Sequence, residues 1–375
     1  MDITTSTVPS TRAAAEPKNR LRPVAAWLFV CCALIFLMVV VGGVTRLTLS
    51  GLSITEWRPV VGVVPPLSAV DWAAEFAKYQ QIPEYQLVHN GMTLDEFKSI
   101  YWWEYAHRLL GRLIGLAFAG PFVWFLLRGR LPWRLVPPLG GILLLGFAQG
   151  ALGWYMVESG LADRVEVSQY RLVAHLALAL AIYATILWVA LAIVRGAAPL
   201  PHPPPLAGEG RVGAGWRRTA DAVLLLVAVT ILAGGFVAGT RAGFTYNTFP
   251  LMDGQVVPEG YAELHPFIVN WFENVAAVQF DHRLLAVATA VVVLLVWLAG
   301  RGAGLPKSIA AGLHGLAAVA LLQVALGIAT LLLVVPIPLA AAHQAGAVLL
   351  LTAAIVFRHT LRRVAPMDAE APAPI

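Results

Sequence analysis

The chain reads Glu104-Tyr105-Ala106-His107-Arg108-Leu109-Leu110 near the start of a long apolar block. At a shift of 175 it reads Gln279-Phe280-Asp281-His282-Arg283-Leu284-Leu285 at the start of another. Working outward, Gln149 and Gly153 return as Gln323 and Gly327 at a shift of 174, and His175 and Ala177 return as His343 and Ala345 at 168. Upstream, Gly42-Gly43 and Thr45-Arg46 recur as Gly234-Gly235 and Thr240-Arg241, and Gly51 and Pro65 as Gly243 and Pro258. Near-equal shifts over so many positions mark an internal duplication.

The duplicated unit is made of membrane helices. Of 375 residues, 59% are hydrophobic and only 13% charged, too few to coat a water-soluble globule. The apolar residues fall in blocks long enough to cross about 30 Å of hydrocarbon, near 24–44, 103–127, 135–156, 170–194, 219–238, 276–300, 308–335 and 338–358. Eight spans follow. The net charge of +5 does not argue for nucleic acid, because the Lys and Arg residues cluster between the blocks. Sixteen of the 26 fall on one side: at the N-terminus (Arg12, Lys18, Arg20, Arg22), in 128–134, in 195–218, in 301–307 and after 357. That side is cytoplasmic, with both termini on it, and the loops 45–101 and 239–275 face outward.

A Pro- and Gly-rich cytoplasmic linker, residues 196–218, divides the chain into two four-helix bundles, 24–195 and 219–360, with tails 1–23 and 361–375. Since each half has an even number of spans, the expected architecture is all-α: two pseudo-symmetric bundles related by an axis along the membrane normal. Cys31 and Cys32 are adjacent inside the first span and offer neither a disulfide framework nor a metal site.

Of nine histidines, four lie in the even spans: His107, His175, His282 and His343. The even spans start at the outer face, and each histidine is read as one or two turns inside its helix, so all four share one depth. Burying an ionisable side chain in a membrane costs a few kcal/mol without a partner. Two imidazoles on facing helices of a four-helix bundle can clamp a haem iron, which gives one bis-histidine site per half. The plainer reading of any one of them is a structural histidine hydrogen-bonded across helices. Zinc is disfavoured, since neither half adds Cys or carboxylate at ligand spacing. His89 and His265 in the outer loops, His202 in the linker, and His314 and His359 near the inner face are weaker candidates.

Arg108 and Arg283 directly follow ligand candidates, and Arg46 and Arg241 stand where spans one and five emerge outside. Each can bind a haem propionate or simply snorkel to the interface. Gln149, Gln323, Gly146, Gly150 and Gly153 are read as helix-packing residues. The repeat is broken at one telling place: aligning Gly51–Trp57 with Gly243–Phe249 sets Glu56 opposite Thr248, so only the first half carries a carboxylate there. It can serve as a general base, stabilise a developing cation, or be an ordinary loop glutamate.

The ordered set Gly42–Thr48 (GGVTRLT), Gly51–Trp57 (GLSITEW), Glu104–Arg112 (EYAHRLLGR) and Gln149–Gly153, then Gly234–Gly243 (GGFVAGTRAG), Asn247–Gly254 (NTFPLMDG), Phe280–Ala286 (FDHRLLA) and His343-Gln344, resembles the haem A synthase family over nearly the whole chain. The likeness is to its alphaproteobacterial and mitochondrial branch, because the first outer loop lacks the cysteine pair of some bacterial members. The resemblance implies an oxidoreductase that oxidises the C8 methyl of haem O to a formyl group, by two successive hydroxylations and loss of water, for haem-copper oxidase biogenesis. It implies a substrate site at His107, His175 and Glu56, and a haem b cofactor held by His282 and His343. Implied partners are haem O synthase, oxidase assembly factors and membrane lipid, with a homo-oligomer left open and no nucleic acid. A bacterial inner membrane is the expected location, the mitochondrial inner membrane the alternative. The rival readings are a dihaem b-type electron-transfer protein and a haem exporter.

Overall fold

A computed structural model describes residues 21–57, 61–163, 166–195 and 211–363. The basic residues Arg12, Lys18 and Arg20 and most of the expected linker lie outside the described residues. Among the described residues the eleven α-helices are α1 (Arg22–Leu47), α2 (Ala69–Tyr79), α3 (Pro83–Leu87), α4 (Leu94–Leu127), α5 (Val136–Asp163), α6 (Gln169–Arg195), α7 (Arg211–Thr240), α8 (Asn270–Glu273), α9 (Val275–Arg301), α10 (Lys307–Leu332) and α11 (Ile337–Thr360). No β-strand forms among the described residues. Among the described residues eight helices, α1, α4 to α7 and α9 to α11, are long and apolar enough to cross a membrane, and the chain is an all-α multi-pass membrane protein. Helices suit that solvent because they satisfy their own backbone hydrogen bonds.

In the first half α1 packs on α4, α4 on α5, α5 on α6, and α6 back on α1; α7, α9, α10 and α11 close a ring in the same order. The halves meet where α1 and α6 contact α11 and where α6 contacts α7. One apolar core runs through both rings, from Leu28 and Cys31 of α1 through Ile186 of α6 to Ile355 of α11. Within it, the Tyr183 and Thr352 hydroxyls bond across the junction at 2.7 Å. At one end of the junction Arg195 NH1 reaches His359 Nδ1 and Thr360 Oγ1, each at 3.0 Å. At the other end Tyr170 Oη donates to Glu273 Oε1 at 2.8 Å.

Several element boundaries differ from the sequence expectation, two of them for reasons the local chain shows. Helix α4 begins at Leu94 rather than near 103, because Thr93 and Glu96 form a reciprocal capping box that satisfies the first free N–H groups. Its added turns carry Phe97 and Tyr101, which pack with Tyr79 into a small aromatic core under α2 and α3. The loop 45–101 is therefore a folded cap, and His107 lies thirteen residues, almost four turns, inside its helix rather than one or two. Helix α7 starts at Arg211 rather than 219. Helix α10 stops at Leu332 rather than 335, since Val334 and Val335 adopt φ of 60° and 58° just before Pro336.

Candidate functional site

Each of the four span histidines lies against a glycine of the next helix. A Cβ at Gly42 of α1 would stand 3.2 Å from His107 Nε2, and one at Gly153 of α5 would stand 2.9 Å from His175 Cε1. In the second half a Cβ at Gly234 of α7 would come to 2.9 Å from His282 Cε1, and one at Gly327 of α10 to 2.8 Å from His343 Cε1. Any larger side chain at these positions would fill the space beside the ring. In each half the two histidines stand on helices of one ring, α4 and α6 in the first and α9 and α11 in the second. The Nδ1 atoms of His175, His282 and His343 are buried without a hydrogen-bond partner among the described residues. Unpaired ring nitrogens in an apolar bundle are costly as structural features and suited to donating to a soft transition metal. The glycine at each place lets the neighbouring helix pack directly against the imidazole and hold its plane. The donor set therefore fits a haem in each half.

Two glutamines, read from sequence as helix packing, do something more specific. Gln149 Nε2 donates to the backbone carbonyl of His175 at 3.1 Å, and Gln323 Nε2 to that of His343 at 2.9 Å. Each ties the helix that supplies a glycine cradle to the histidine inside it. The signal in the sequence was their equal spacing of four residues before Gly153 and Gly327.

The arginines after His107 and His282 anchor the outer loops. Arg108 NH1 donates to Glu56 O at 3.1 Å and NH2 to Ile54 O at 2.7 Å. Arg283 NH1 donates to Thr248 O at 2.8 Å, and its NH2 to Tyr246 O. Residues 54 and 56 thus play the parts of 246 and 248, which supports the alignment that sets Glu56 opposite Thr248. The first half adds Glu104, which is 2% exposed. Its Oε1 pairs with Arg108 at 2.6 Å, while Oε2 accepts from Ser53 Oγ and from the Ile54 amide at 2.7 Å each. Gln279 replaces it in the second half and reaches Tyr246 O at 3.3 Å. Glu56 is held above the bundle by its own backbone, with its carboxylate 3.1 Å from Lys78 Nζ of α2.

Arg46 and Arg241, at the ends of α1 and α7, converge on one carboxylate. Glu166, between α5 and α6, accepts from Arg46 at 2.6 Å and from Arg241 at 3.3 Å, and Arg46 also donates to the carbonyls of Ala238 and Gly239. The remaining histidines are placed away from the cradles. His89 Nδ1 lies 2.6 Å from the Tyr79 hydroxyl in the outer cap, His314 is bonded to Ala310 O, and His359 is buried against Trp188. His202 lies outside the described residues. In the cap, burial raises the Glu84 carboxyl to about 8, with the nearby Tyr79 hydroxyl opposing the shift. Cys31 and Cys32 are free and buried in α1.

The profile of the family COX15-CtaA, described as a cytochrome oxidase assembly protein, matches residues 25–355. The chain belongs to this family. As a family member it is 54% identical over 342 residues to the Heme A synthase of Nitrosospira multiformis, covering 91% of this chain and 94% of that protein. It is 53% identical over 354 residues to the Heme A synthase of Rhodospirillum centenum, covering 94% and 90%. To that of Nitrosomonas eutropha it is 50% identical over 352 residues, covering 93% and 96%. The expected membership is borne out, and the matched segment contains all four histidine cradles.

Proposed function

We propose that this protein is a haem A synthase: a membrane oxidoreductase that oxidises the C8 methyl of haem O to a formyl group through two hydroxylations and loss of water, for haem-copper oxidase assembly. The observation that carries the reading is a pair of matched histidine cradles beneath outer loops of which only the first places a carboxylate, Glu56, at the repeat position held by Thr248 in the second. A protein that only relayed electrons would not need that difference. His107 and His175 hold the substrate iron in the first half, with Glu56 on the loop above. His282 and His343 hold a resident haem b in the second half, which supplies one-electron transfer when bound.

The chain's own residues do the rest. Glycines 42, 153, 234 and 327 keep the space beside each imidazole clear, and Gln149 and Gln323 fix the backbones of His175 and His343. Arg108 and Arg283 clamp the loops down, and Glu104 orients Arg108 and the Ile54 amide. Glu56, paired with Lys78, stabilises positive charge developing at the oxidised carbon or takes up a released proton. Arg46, Arg108, Arg241 and Arg283 bind haem propionates. A guanidinium has five N–H groups, and in each of the four at least one is left over after the protein contacts above. The protein lies in the bacterial inner membrane with both termini cytoplasmic, the two halves forming pseudo-symmetric bundles joined by a linker that ends where α7 begins.

The deciding experiment is acid extraction and mass analysis of haems from cells that make haem O, with and without this protein. Haem A is expected only with it. Haem O left unaltered beside a folded, haem-loaded protein would overturn the assignment. Loss of the bis-histidine spectrum of haem b in His282→Ala or His343→Ala tests which half holds the cofactor.

A further inference from the structure

A narrow cleft of about 10 Å³, room for about one water molecule, opens between α4, α5 and the loop that carries Glu56. Its walls include Arg108 from α4, Glu56 and Trp57 from the loop, and Trp154 and Glu158 from α5. Arg108, the neighbour of His107 in the chain, brings its guanidinium to this cleft through the carbonyls of Ile54 and Glu56. On α5, Glu158 lies five residues beyond Gly153, the cradle of His175, or about 7.5 Å along the helix at 1.5 Å per residue. Glu158 is an exposed carboxylate with no hydrogen-bonding or ion-pairing partner among the described residues, whereas Glu56 is tied to Lys78.

The internal repeat singles out the same residue a second time. The shift of 174 that carries Gln149 to Gln323 and Gly153 to Gly327 carries Glu158 to Leu332 and Trp154 to Ile328. Glu158 is thus, like Glu56 and Glu104, a carboxylate that the first half has and the second half lacks, and it shares a cleft with Glu56. A bundle that merely holds a haem has Leu and Thr at these two places.

The chemistry of the reaction supplies a use for it and rests on the synthase reading above. A methyl group offers no hydrogen-bond donor, so the first hydroxylation changes what the site must hold: the alcohol carries a new O–H. An intermediate whose hydroxyl finds no acceptor loses one interaction that would keep it for the second oxidation. We propose that Glu158 is a substrate-positioning residue whose carboxylate accepts a hydrogen bond from the hydroxyl of the singly oxidised haem, retaining it for the second hydroxylation. Glu56 remains the group beside the reacting carbon, and Glu158 works on the partition between release and further oxidation. No bond forms or breaks at Glu158, and no electron passes through it.

The test is the ratio of alcohol haem to haem A, extracted from cells making haem O and carrying wild type, Glu158→Gln, Glu158→Leu or Glu158→Asp. Loss of the acceptor is expected to raise the ratio about tenfold in the Leu variant, equivalent to about 1.4 kcal/mol at 25 °C, and by less in the Gln variant, whose amide oxygen still accepts but carries no charge. The Asp variant should recover most of the wild-type ratio. Because a ratio does not depend on how much folded protein is present, poor accumulation of a variant leaves the result readable. The haem b spectrum should be unchanged in all three. An unchanged ratio in the Gln and Leu variants, whatever the total turnover, would overturn the proposal. Absence of haem A from the wild type would overturn the synthase reading beneath it.

Discussion

Gly327→Ala adds a single methyl group to α10, and the structure dictates where it goes. The new Cβ would lie 2.8 Å from His343 Cε1, 3.4 Å from Nδ1 and 3.5 Å from Nε2, closer to the ring carbon than real side chains approach. The imidazole is a rigid plane, so the whole ring must swing or α10 must retreat from α11. Overpacking of this kind costs about 1 to 3 kcal/mol, which at about 1.4 kcal/mol per decade weakens binding of the proposed haem b by roughly 5- to 150-fold. The helix itself gains from the exchange, because Ala is favoured over Gly by up to about 1 kcal/mol in a helix interior. Thermal stability of the haem-free protein should therefore change little while haem content falls. Gly315→Ala, on the same helix with open space around its Cβ, is the control and should keep its haem. Purified variants are compared by haem-to-protein ratio and by the Soret band during titration with haem b. A Gly327→Ala variant with full haem and an unaltered bis-histidine spectrum would refute the idea that the glycine clears space for the ligand.

Further predictions concern the positions around the cradles. Gln323→Leu removes the donor to His343 O, and the loss of about 0.6 kcal/mol typical of such bonds in membranes should show as faster release of haem b in detergent. Glu166→Gln loosens two arginines at once. Because the pairs are part-exposed, their loss should lower the melting temperature slightly at low salt and hardly at all at high salt. Glu84 makes the outer cap pH-sensitive: its carboxyl rises from 4.5 to about 8 on burial, so the folded cap holds a proton that the unfolded chain has lost across that window. The contribution is fully present below about pH 4.5 and declines as pH rises to about 8. Limited proteolysis within 61–101 should accelerate from about pH 5 to about pH 8 in wild type, and Glu84→Gln should flatten the trend.

The eight spans were legible because an apolar block of about twenty residues has few other fates, and their ends were set by chemistry that block-reading passes over. Thr93 and Glu96 form a capping pair visible in the sequence, and they move the start of α4 by nine residues. The end of α10 was less accessible, since two consecutive valines with positive φ run against their local preference and are held by tertiary context. The histidines and the odd carboxylate at Glu56 stood out because ionisable groups are scarce in this chain. What spacing alone could not yield was the partner of each arginine. Arg46 and Arg241 meet at Glu166 only because the ends of α1 and α7 come together in space, and nothing in the sequence near Glu166 announces that.

The junction between the halves is a continuous apolar seam, fastened on one side by Arg195 with His359 and Thr360, and on the other by Arg46 and Arg241 on Glu166 and by Tyr170 on Glu273. A seam stitched along its whole length has no need of a covalent tie. Two polypeptides ending and restarting between 196 and 210, expressed together, should find each other in the bilayer and rebuild the paired cradles. Each fragment alone would expose the seam faces of α1 and α6, or of α7 and α11, to lipid. The duplication would then have left a trace beyond the repeated residues: a working heterodimer concealed within one chain.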